Sequence, residues 1–152
     1  MINRPSSVFR TSFFLSSLIA CFVTTAEAKS IGKDQVNIRE QSNLTSPILY
    51  KAPLGYPIKI KKEEKEWVYC QDWLDNSGWV HRSLVSDIAT AVILVEKANI
   101  RKEASVNSKV EGTAEQGEIY TILAKEGDWL KLGYYRSGTA IGWVRNDLVF
   151  GD

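Results

Sequence analysis

The chain has 152 residues, of which 44% are apolar and 24% charged, with 19 basic side chains against 18 acidic ones. This near-neutral balance provides no positive field to attract phosphate backbones, so it argues against general nucleic-acid binding. The even mixture of apolar and charged residues also excludes a disordered tail, a collagen-like repeat and a coiled coil.

The N-terminal segment has the three parts of an export signal. A basic start containing Arg4 precedes an apolar run at residues 13–23, and the small-x-small tripeptide Ala-Glu-Ala follows at residues 26–28. We therefore predict a signal peptide over residues 1–28, cleaved before Lys29, and a periplasmic or secreted protein. The apolar run is shorter than the roughly 20 residues that a membrane-spanning helix needs, so no transmembrane span is expected.

Cys21 offers a second interpretation of this leader. Residues 18–21, Leu-Ile-Ala-Cys, resemble a bacterial lipobox, in which Cys21 would be acylated and become the first residue of the mature chain. The apolar run continues for two residues past this cysteine, and this favours simple cleavage after Ala28. In either case Cys70 is the one thiol outside the leader, so no internal disulfide is expected.

An internal repeat is the strongest feature of the sequence. Residues 36–39, Val-Asn-Ile-Arg, recur 62 positions later as Ala-Asn-Ile-Arg at residues 98–101. Matches of Asn, Arg, Gly and Trp in one register indicate a duplication, so we predict two homologous units at residues 34–87 and 96–151. Further matched pairs are Ser46 and Ser108, Ile48 and Val110, Gly55 and Gly117, Trp67 and Trp129, Gly78 and Gly142, Trp79 and Trp143, and Leu84 and Leu148.

Each unit has the pattern of short strands separated by turns. Residues 58–61, Ile-Lys-Ile-Lys, alternate apolar and charged side chains, and residues 67–71 and 129–132 alternate in the same way. Turn-forming sequences rich in Gly, Pro, Asn and Asp lie between such segments. Helix is expected only as one short turn near Ser83 and its counterpart Asp147. The sequence therefore predicts an all-β protein of two small barrels.

Four segments follow from these patterns. We expect the signal peptide at residues 1–28, a first domain at residues 29–87 and a second domain at residues 96–152. Residues 88–95 between them are too apolar for a free linker, since they contain Ala-Val-Ile-Leu-Val. We predict that this connecting segment is a strand docked between the units, and that the pair behaves as one semi-rigid body.

The repeated pattern resembles the bacterial SH3 (SH3b) domain. It consists of Val-Asn-Ile-Arg, a variable loop, Gly, Trp-apolar-x-apolar and Gly-Trp-Val. Residues 67–73 and 78–86 are similar to exported tandem SH3-like proteins of alphaproteobacteria, and residues 96–102 and 142–144 carry most of the similarity in the second unit. The resemblance covers residues 33–152 and implies two tandem SH3-like β-barrels outside the cytoplasm. It implies no activity and no functional residues, because fold alone does not determine function.

Cys70 and His81 are the only thiol and imidazole outside the leader, so a Cys–His hydrolase must be considered. Cys70 alternates in phase with Val68 and corresponds to Leu132, which predicts a buried, unreactive core position. His81 corresponds to Arg145 and is expected to be exposed. One His and one Cys without a spaced acidic loop predict no metal site, and no cofactor is expected.

The aromatic residues are of two kinds. Two tryptophan pairs occur in both units and are expected to pack in the core or at the rim of the barrels. Tyr50, Tyr56, Tyr69 and Trp73 have no identical counterparts in the second unit, and Tyr69 lies out of phase with the core. Exposed rings of this kind suit sugars or peptides, so these four form our candidate ligand-binding surface. The alternative is packing between the units, and the same question applies to Tyr134 and Tyr135.

These observations favour a non-enzymatic periplasmic binding module that recognises a cell-wall (peptidoglycan) component or a peptide. A second interpretation is a protein-interaction or effector subunit acting on another envelope protein, with the strand at residues 91–95 or a sheet edge pairing with that partner. A Cys–His hydrolase using Cys70 is less favoured.

Overall fold

A computed structural model describes residues 28–151, and the chain in this range is almost entirely β-structure. Fourteen strands and two 3-10 turns account for its regular elements, which confirms the all-β prediction. Apart from Ala28, the predicted signal peptide lies outside the described residues, and so does Cys21. Over residues 28–151 there is no helix of the length and apolarity needed to cross a membrane.

The first seven strands form one antiparallel sheet with the order β3-β2-β6-β5-β4-β1-β7. A 3-10 turn at Arg82–Leu84 separates the last two strands of this unit. The strands are β1 (Ala28–Ile31), β2 (Val36–Arg39), β3 (Ile48–Ala52), β4 (Pro57–Glu64), β5 (Trp67–Gln71), β6 (Ser77–His81) and β7 (Val85–Ser86).

The second seven strands repeat this arrangement in the order β10-β9-β13-β12-β11-β8-β14. The second 3-10 turn, Asn146–Leu148, again precedes the last strand. Each strand therefore has a counterpart in the other sheet, which confirms the duplication. The strands are β8 (Thr90–Ile93), β9 (Lys97–Arg101), β10 (Val110–Glu115), β11 (Ile119–Glu126), β12 (Trp129–Gly133), β13 (Ala140–Arg145) and β14 (Val149–Phe150).

Each sheet bends around its own apolar core. On β5 the burial alternates as the sequence predicts, with Val68 and Cys70 buried and Trp67, Tyr69 and Gln71 half-buried. Register pairs Val68 with Val80 and Cys70 with Gly78, so these side chains share the core face. The second core has the corresponding residues Leu130, Leu132 and Val144.

The glycine of each Gly-Trp-Val motif is required by close packing against a neighbouring strand. A Cβ placed on Gly78 would lie 2.6 Å from Cγ2 of Ile38, and one on Gly142 would lie 2.6 Å from the carbonyl oxygen of Arg101. Gly142 also has a φ of 134°, a conformation that side chains with a Cβ rarely adopt. Both positions therefore require a residue without a side chain.

The loop between the second and third strands is held in the same way in both units. Nη1 of Arg39 donates a hydrogen bond of 2.7 Å to the carbonyl of Ser46, and the hydroxyl of Ser46 accepts one from a backbone N–H. Arg101 and Ser108 make the same two contacts. The repeated Arg and Ser are thus explained by the loop that they close.

Residues 88–95 contain the predicted strand, but this strand belongs to the second barrel and is not a separate connector. The strand, β8, pairs with β11 and β14, as β1 pairs with β4 and β7. It is therefore the first strand of the second barrel. All four of its residues are buried, because it also packs against β1 and β4 of the first unit. Burial on both faces accounts for the continuous apolar run in the sequence.

Buried contacts join the two units. The hydroxyl of Thr90, which is fully buried, donates a hydrogen bond of 2.8 Å to the carbonyl of Gly55. The ring of Tyr135 covers the same glycine, since a Cβ there would lie 3.1 Å from the ring. Nζ of Lys59 lies 4.9 Å from the centre of the Phe150 ring. Tyr135 thus packs between the units, as in the alternative to ligand contact given in the sequence analysis.

Candidate ligand-binding site

Three of the four predicted ligand-binding aromatics gather around one buried carboxylate. Tyr50 and Tyr56 pack against the first core, and Trp73 is half-buried beside them in the turn after β5. The hydroxyl of Tyr56 donates a hydrogen bond of 3.0 Å to Oδ2 of Asp72, whereas the buried hydroxyl of Tyr50 has no hydrogen-bond partner within residues 28–151. Burial and, secondarily, the charge of Asp72 raise the pKa of both tyrosines above its ordinary value.

Asp72 organises the turn that joins β5 to β6. Its side chain is only 1% exposed, and Oδ1 accepts hydrogen bonds of 2.9 Å from the backbone N–H groups of Leu74 and Asn76. Oδ2 accepts bonds from Tyr56 and from the Asn76 amide. A buried carboxylate with this many donors has a structural role. Tyr50 and Tyr56 beside it pack against the first core, and contact of the three aromatics with a ligand stays a prediction.

Tyr69, the fourth candidate, lies elsewhere, on the face of the β5–β6 hairpin opposite the core. This placement confirms the predicted phase of Tyr69. Its ring centre is 5.3 Å from that of Trp79, its register partner on β6, and Nζ of Lys62 lies 5.5 Å from the Trp79 ring. Trp67 and His81 form the next pair on this outer face, with ring centres 5.4 Å apart and planes at 81°. Trp67 and Trp79 thus belong to the rim of the barrel.

A pocket of about 260 Å³ opens where this outer face meets the loop after β2. Trp67 and His81 line one side, and Asn37 and Arg39 project from β2 on the other. Leu44, a large apolar side chain in this loop that is 73% exposed, also lines the pocket. Further lining residues are Lys33, Asp34, Gln35, Val36 and Leu84.

The polar groups of this pocket are held in defined positions. Nδ1 of His81 accepts a hydrogen bond of 3.3 Å from the backbone N–H of Ser83 and lies 2.8 Å from its hydroxyl. In the neutral imidazole the proton is then on Nε2, which lies 3.7 Å from a carboxylate oxygen of Glu66. Oδ1 of Asn37 is buried and has no hydrogen-bond partner in the described chain, so one acceptor of a residue lining this pocket is left unsatisfied.

The second unit has a pocket of about 150 Å³ at the matched place. Asn99, Arg101 and Trp129 line it where Asn37, Arg39 and Trp67 line the first. The loop again contributes an exposed apolar side chain, because the counterpart of Leu44 is Val106, which is 59% exposed. The remaining lining residues are Lys97, Arg145 and Leu148.

Sequence reasoning missed these pockets, although the repeat contained their signal. Asn37 and Arg39 alternate out of phase with the core residue Ile38, so their side chains lie on the outer face of β2. Trp67 alternates out of phase with Val68 in the same way. Matched residues that point away from the core in both copies mark a shared surface, and none of the four predicted aromatics lines it.

Cys70 occupies the core, as its phase predicts. Its side chain is fully buried, and Sγ donates a hydrogen bond of 3.5 Å to the carbonyl of Gly78. Burial, aided by the charge of Asp72, raises the pKa of the Cys70 thiol to about 12. His81 is on the opposite face of the hairpin and pairs with Trp67, so the thiol and the imidazole do not meet. Across residues 28–151, no group of three His, Cys, Asp or Glu side chains is arranged to hold a metal ion.

Comparisons with known proteins agree with this architecture. Two family models, both described as a bacterial SH3 domain, match residues 32–87 and 96–150. A relative in Bacillus subtilis (strain 168), named as a candidate N-acetylmuramoyl-L-alanine amidase, YrvJ, is 27% identical over 90% of this chain and 28% of its own length.

Two solved structures from Trichomonas vaginalis are also similar. NlpC2 is 16% identical with a TM-score of 0.36, covering 84% of this chain and 49% of that protein. NlpC1 is 18% identical with a TM-score of 0.38, covering 82% of this chain and 45% of that protein. The chain therefore spans less than half of each of these three longer proteins.

Proposed function

Because the chain belongs to the bacterial SH3 domain family and carries two such domains in tandem, we propose that it is an exported, non-enzymatic module that binds the cell wall. Peptidoglycan is the proposed ligand, and the pocket found in both units is the proposed site. The name of the Bacillus relative associates that protein with N-acetylmuramoyl-L-alanine, which supports a wall ligand for this chain.

The repeated pocket is the observation that carries the proposal. Neither core needs an asparagine at Asn37 or Asn99, since both side chains lie on the outer face. An exposed apolar residue in each loop, Leu44 or Val106, contributes nothing to either core. Two copies of a duplicated unit that keep such residues in one place indicate that this place binds something.

The size and chemistry of the pockets suit a small part of a polymer. At about 260 and 150 Å³ they are below the roughly 300–1,000 Å³ of pockets that enclose a whole drug-sized ligand. The half-buried indole of Trp67 offers a flat apolar surface, and Asn37 offers an amide beside it. Each pocket would hold one sugar ring or one or two amino acids of the wall.

The chain's own residues support a role without catalysis. The thiol of Cys70 is enclosed in the core, and His81 lies on the other face of the sheet. The alternative, in which an envelope protein pairs with the strand at residues 91–95, is disfavoured. Both edges of β8 are already paired within the second sheet, and its residues are buried. Binding of an envelope protein at another sheet edge would be indicated if the chain is not retained on peptidoglycan in the experiment below.

Co-sedimentation with purified peptidoglycan at low salt tests the proposal. We expect the wild-type chain to be retained, and the double variant Trp67→Ala, Trp129→Ala to bind at least tenfold more weakly, because each indole is a large contact in its pocket. Trp73→Ala is the matched control, since Trp73 lies outside both pockets, and it should bind as wild type does. Thermal unfolding of each variant shows whether it is folded.

No retention of the wild-type chain would overturn wall binding and leave an envelope protein as the partner. Loss of binding in Trp73→Ala alone would instead move the site to the aromatics around Asp72. The mass of the exported protein tests the proposed location, since it distinguishes a chain that starts at Lys29 from one acylated at Cys21.

A further inference from the structure

The two pockets differ in charge at matched positions. Lys97 stands where the first unit has Gln35, and Arg145 stands where it has His81. With Arg101, three cationic side chains line the second pocket, and no carboxylate does. The lining of the first pocket has two cations, Lys33 and Arg39, and one carboxylate, that of Asp34, so it is the less positive of the two.

Most donors of these cations remain available. Arg101 uses Nη1 for the carbonyl of Ser108, and Arg145 uses Nε and Nη2 for the carboxylate of Asp147, at 3.0 and 2.8 Å. A guanidinium has five N–H donors, so both arginines can bind a further acceptor. Lys97 forms no ion pair in the described part of the chain, although Glu115 is its register partner on β10.

The surface beside the second pocket is also cationic. Lys131 takes the place of Tyr69, and its Nζ lies 6.0 Å from the centre of the Trp143 ring. Two cations of the hairpin, Lys131 and Arg145, therefore alternate with its two tryptophans, Trp129 and Trp143. In the first unit the same four positions are all aromatic rings. The second site thus combines a flat indole with a local excess of positive charge.

We propose that the second pocket binds an anionic oxygen group of the cell wall, a carboxylate or a phosphate, next to the indole of Trp129. The first pocket binds an uncharged part. Two guanidiniums and an ammonium around one small pocket match such an anion, because charge-assisted N–H···O bonds are strong and arginine binds oxyanions in a bidentate manner. This inference depends on the proposed function, since it assigns a ligand chemistry to one of its two sites.

The test measures each pocket separately. Trp67→Ala leaves only the second pocket for binding, and Trp129→Ala leaves only the first. Three wall preparations serve as probes: untreated cell wall, wall whose carboxylates are converted to methylamides, and wall stripped of phosphate polymers with hydrofluoric acid. We expect Trp67→Ala to bind one of the two treated walls at least tenfold more weakly than untreated wall. Trp129→Ala should bind all three equally.

Exchanging the matched residues gives the second part of the test. A triple variant with Lys97→Gln, Arg145→His and Trp67→Ala has the first-unit residues at these two positions of the second pocket. It should lose the preference for untreated over treated wall. Gln35→Lys with His81→Arg, added to Trp129→Ala, should create that preference in the first pocket. All positions exchanged are at least partly exposed, so the variants should fold, and circular dichroism verifies this.

Sensitivity to methylamidation identifies a carboxylate, and sensitivity to hydrofluoric acid identifies a phosphate. If Trp67→Ala binds all three walls equally, or if the exchange leaves its preference unchanged, the inference is overturned while wall binding stands. If neither single variant nor the wild-type chain is retained on any wall, the proposed function itself has failed.

Discussion

The β5–β6 hairpin of the first unit and the β12–β13 hairpin of the second lie at the same place in their sheets, yet they expose different chemistry. Their core faces are alike, with Val68 and Val80 in one and Leu130 and Val144 in the other. Their outer faces share two tryptophans and differ at the other two positions, where two rings are replaced by two cations. Duplication has kept the packing and the pocket and has changed the charge around it.

The turns of these hairpins differ more than their strands. In the first unit the carboxylate of Asp72 is buried and holds the turn by hydrogen bonds. In the second, Tyr134 stands at the corresponding position and is 55% exposed, and its backbone bonds with Thr139 and Gly138 close a longer turn. The two hairpins are thus closed by different hydrogen bonds, and neither Asp72 nor Tyr134 lines one of the two matched pockets.

The largest difference between the units is expected at their matched glycines Gly142 and Gly78. Gly142→Ala should lower the free energy of unfolding by about 1–3 kcal/mol because the new Cβ would be crowded by the neighbouring strand. It should lower it by about 1–3 kcal/mol more because alanine disfavours the positive φ at this position. Gly78→Ala should show only the first of these losses, since its φ is not positive. Urea unfolding measures both, and equal losses would contradict the role given to φ.

Gly55 and Gly117 form a second matched pair, which probes the contact between the units. Both have positive φ, 78° and 84°, so an alanine at either should cost about 1–2 kcal/mol. Gly55→Ala should cost more, because its Cβ would meet the ring of Tyr135, whereas nothing lies within 4 Å of a Cβ on Gly117. Adding Tyr135→Ala should reduce the extra loss if the ring causes it. An unchanged difference in that double variant would show that the junction is not packed as described.

The last expected effect, from the core pair Cys70 and Leu132, is absent at neutral pH and appears only at alkaline pH. The pKa of Cys70 rises from 9.0 to about 12 on folding, so the folded chain keeps this proton more tightly than the unfolded chain does. The corresponding stability is complete below pH 9 and is lost as the pH rises toward 12, by about 1.4 kcal/mol per pH unit. Cys70→Ala should reduce the pH dependence of the free energy of unfolding between pH 9 and 12 by that amount. Leu132→Ala, which removes no titrating group, should leave it unchanged.

Native chain should accordingly react with a disulfide reagent at pH 8 only as fast as it unfolds. Tyr50 and Tyr56 also have raised pKa values, to which the charge of Cys70 contributes, so the difference between wild type and variant reports the thiol together with its coupling to these two hydroxyls. Rapid modification of Cys70 in the folded chain would contradict its enclosure.

The fold was predictable from the sequence because the duplication shows which residues alternate and where the turns lie. The phases of Val68, Tyr69 and Cys70 were correct, since strand alternation depends only on local geometry. The place of β8 in the second sheet was not predictable from the repeat. The sequences of β1 and β8 match only at their last residue, which is Ile31 in β1 and Ile93 in β8. Pairing between distant strands is set by the whole barrel and leaves little trace in so short a segment.

The candidate site was predicted only in part. Aromatic residues unique to one unit led to the prediction of a site at Tyr50 and Tyr56, and the structure places both against the first core beside Asp72, where their contact with a ligand remains a prediction. The pocket is made by residues that both units share, such as Trp67, and these were assigned to packing because they recur. A recurring residue belongs to the core or to a shared surface according to the face of the sheet on which its side chain lies. The alternation along the strand identifies that face once the register is known.

The hydrogen bond from Thr90 to Gly55, with Tyr135 over the same glycine, has a consequence for how two sites act together. A flexible tether would let the two barrels reach ligand groups at many spacings, whereas a packed joint allows only one. For the proposed wall ligand, simultaneous attachment of both barrels would then be expected only where the polymer repeats its groups at the matching interval.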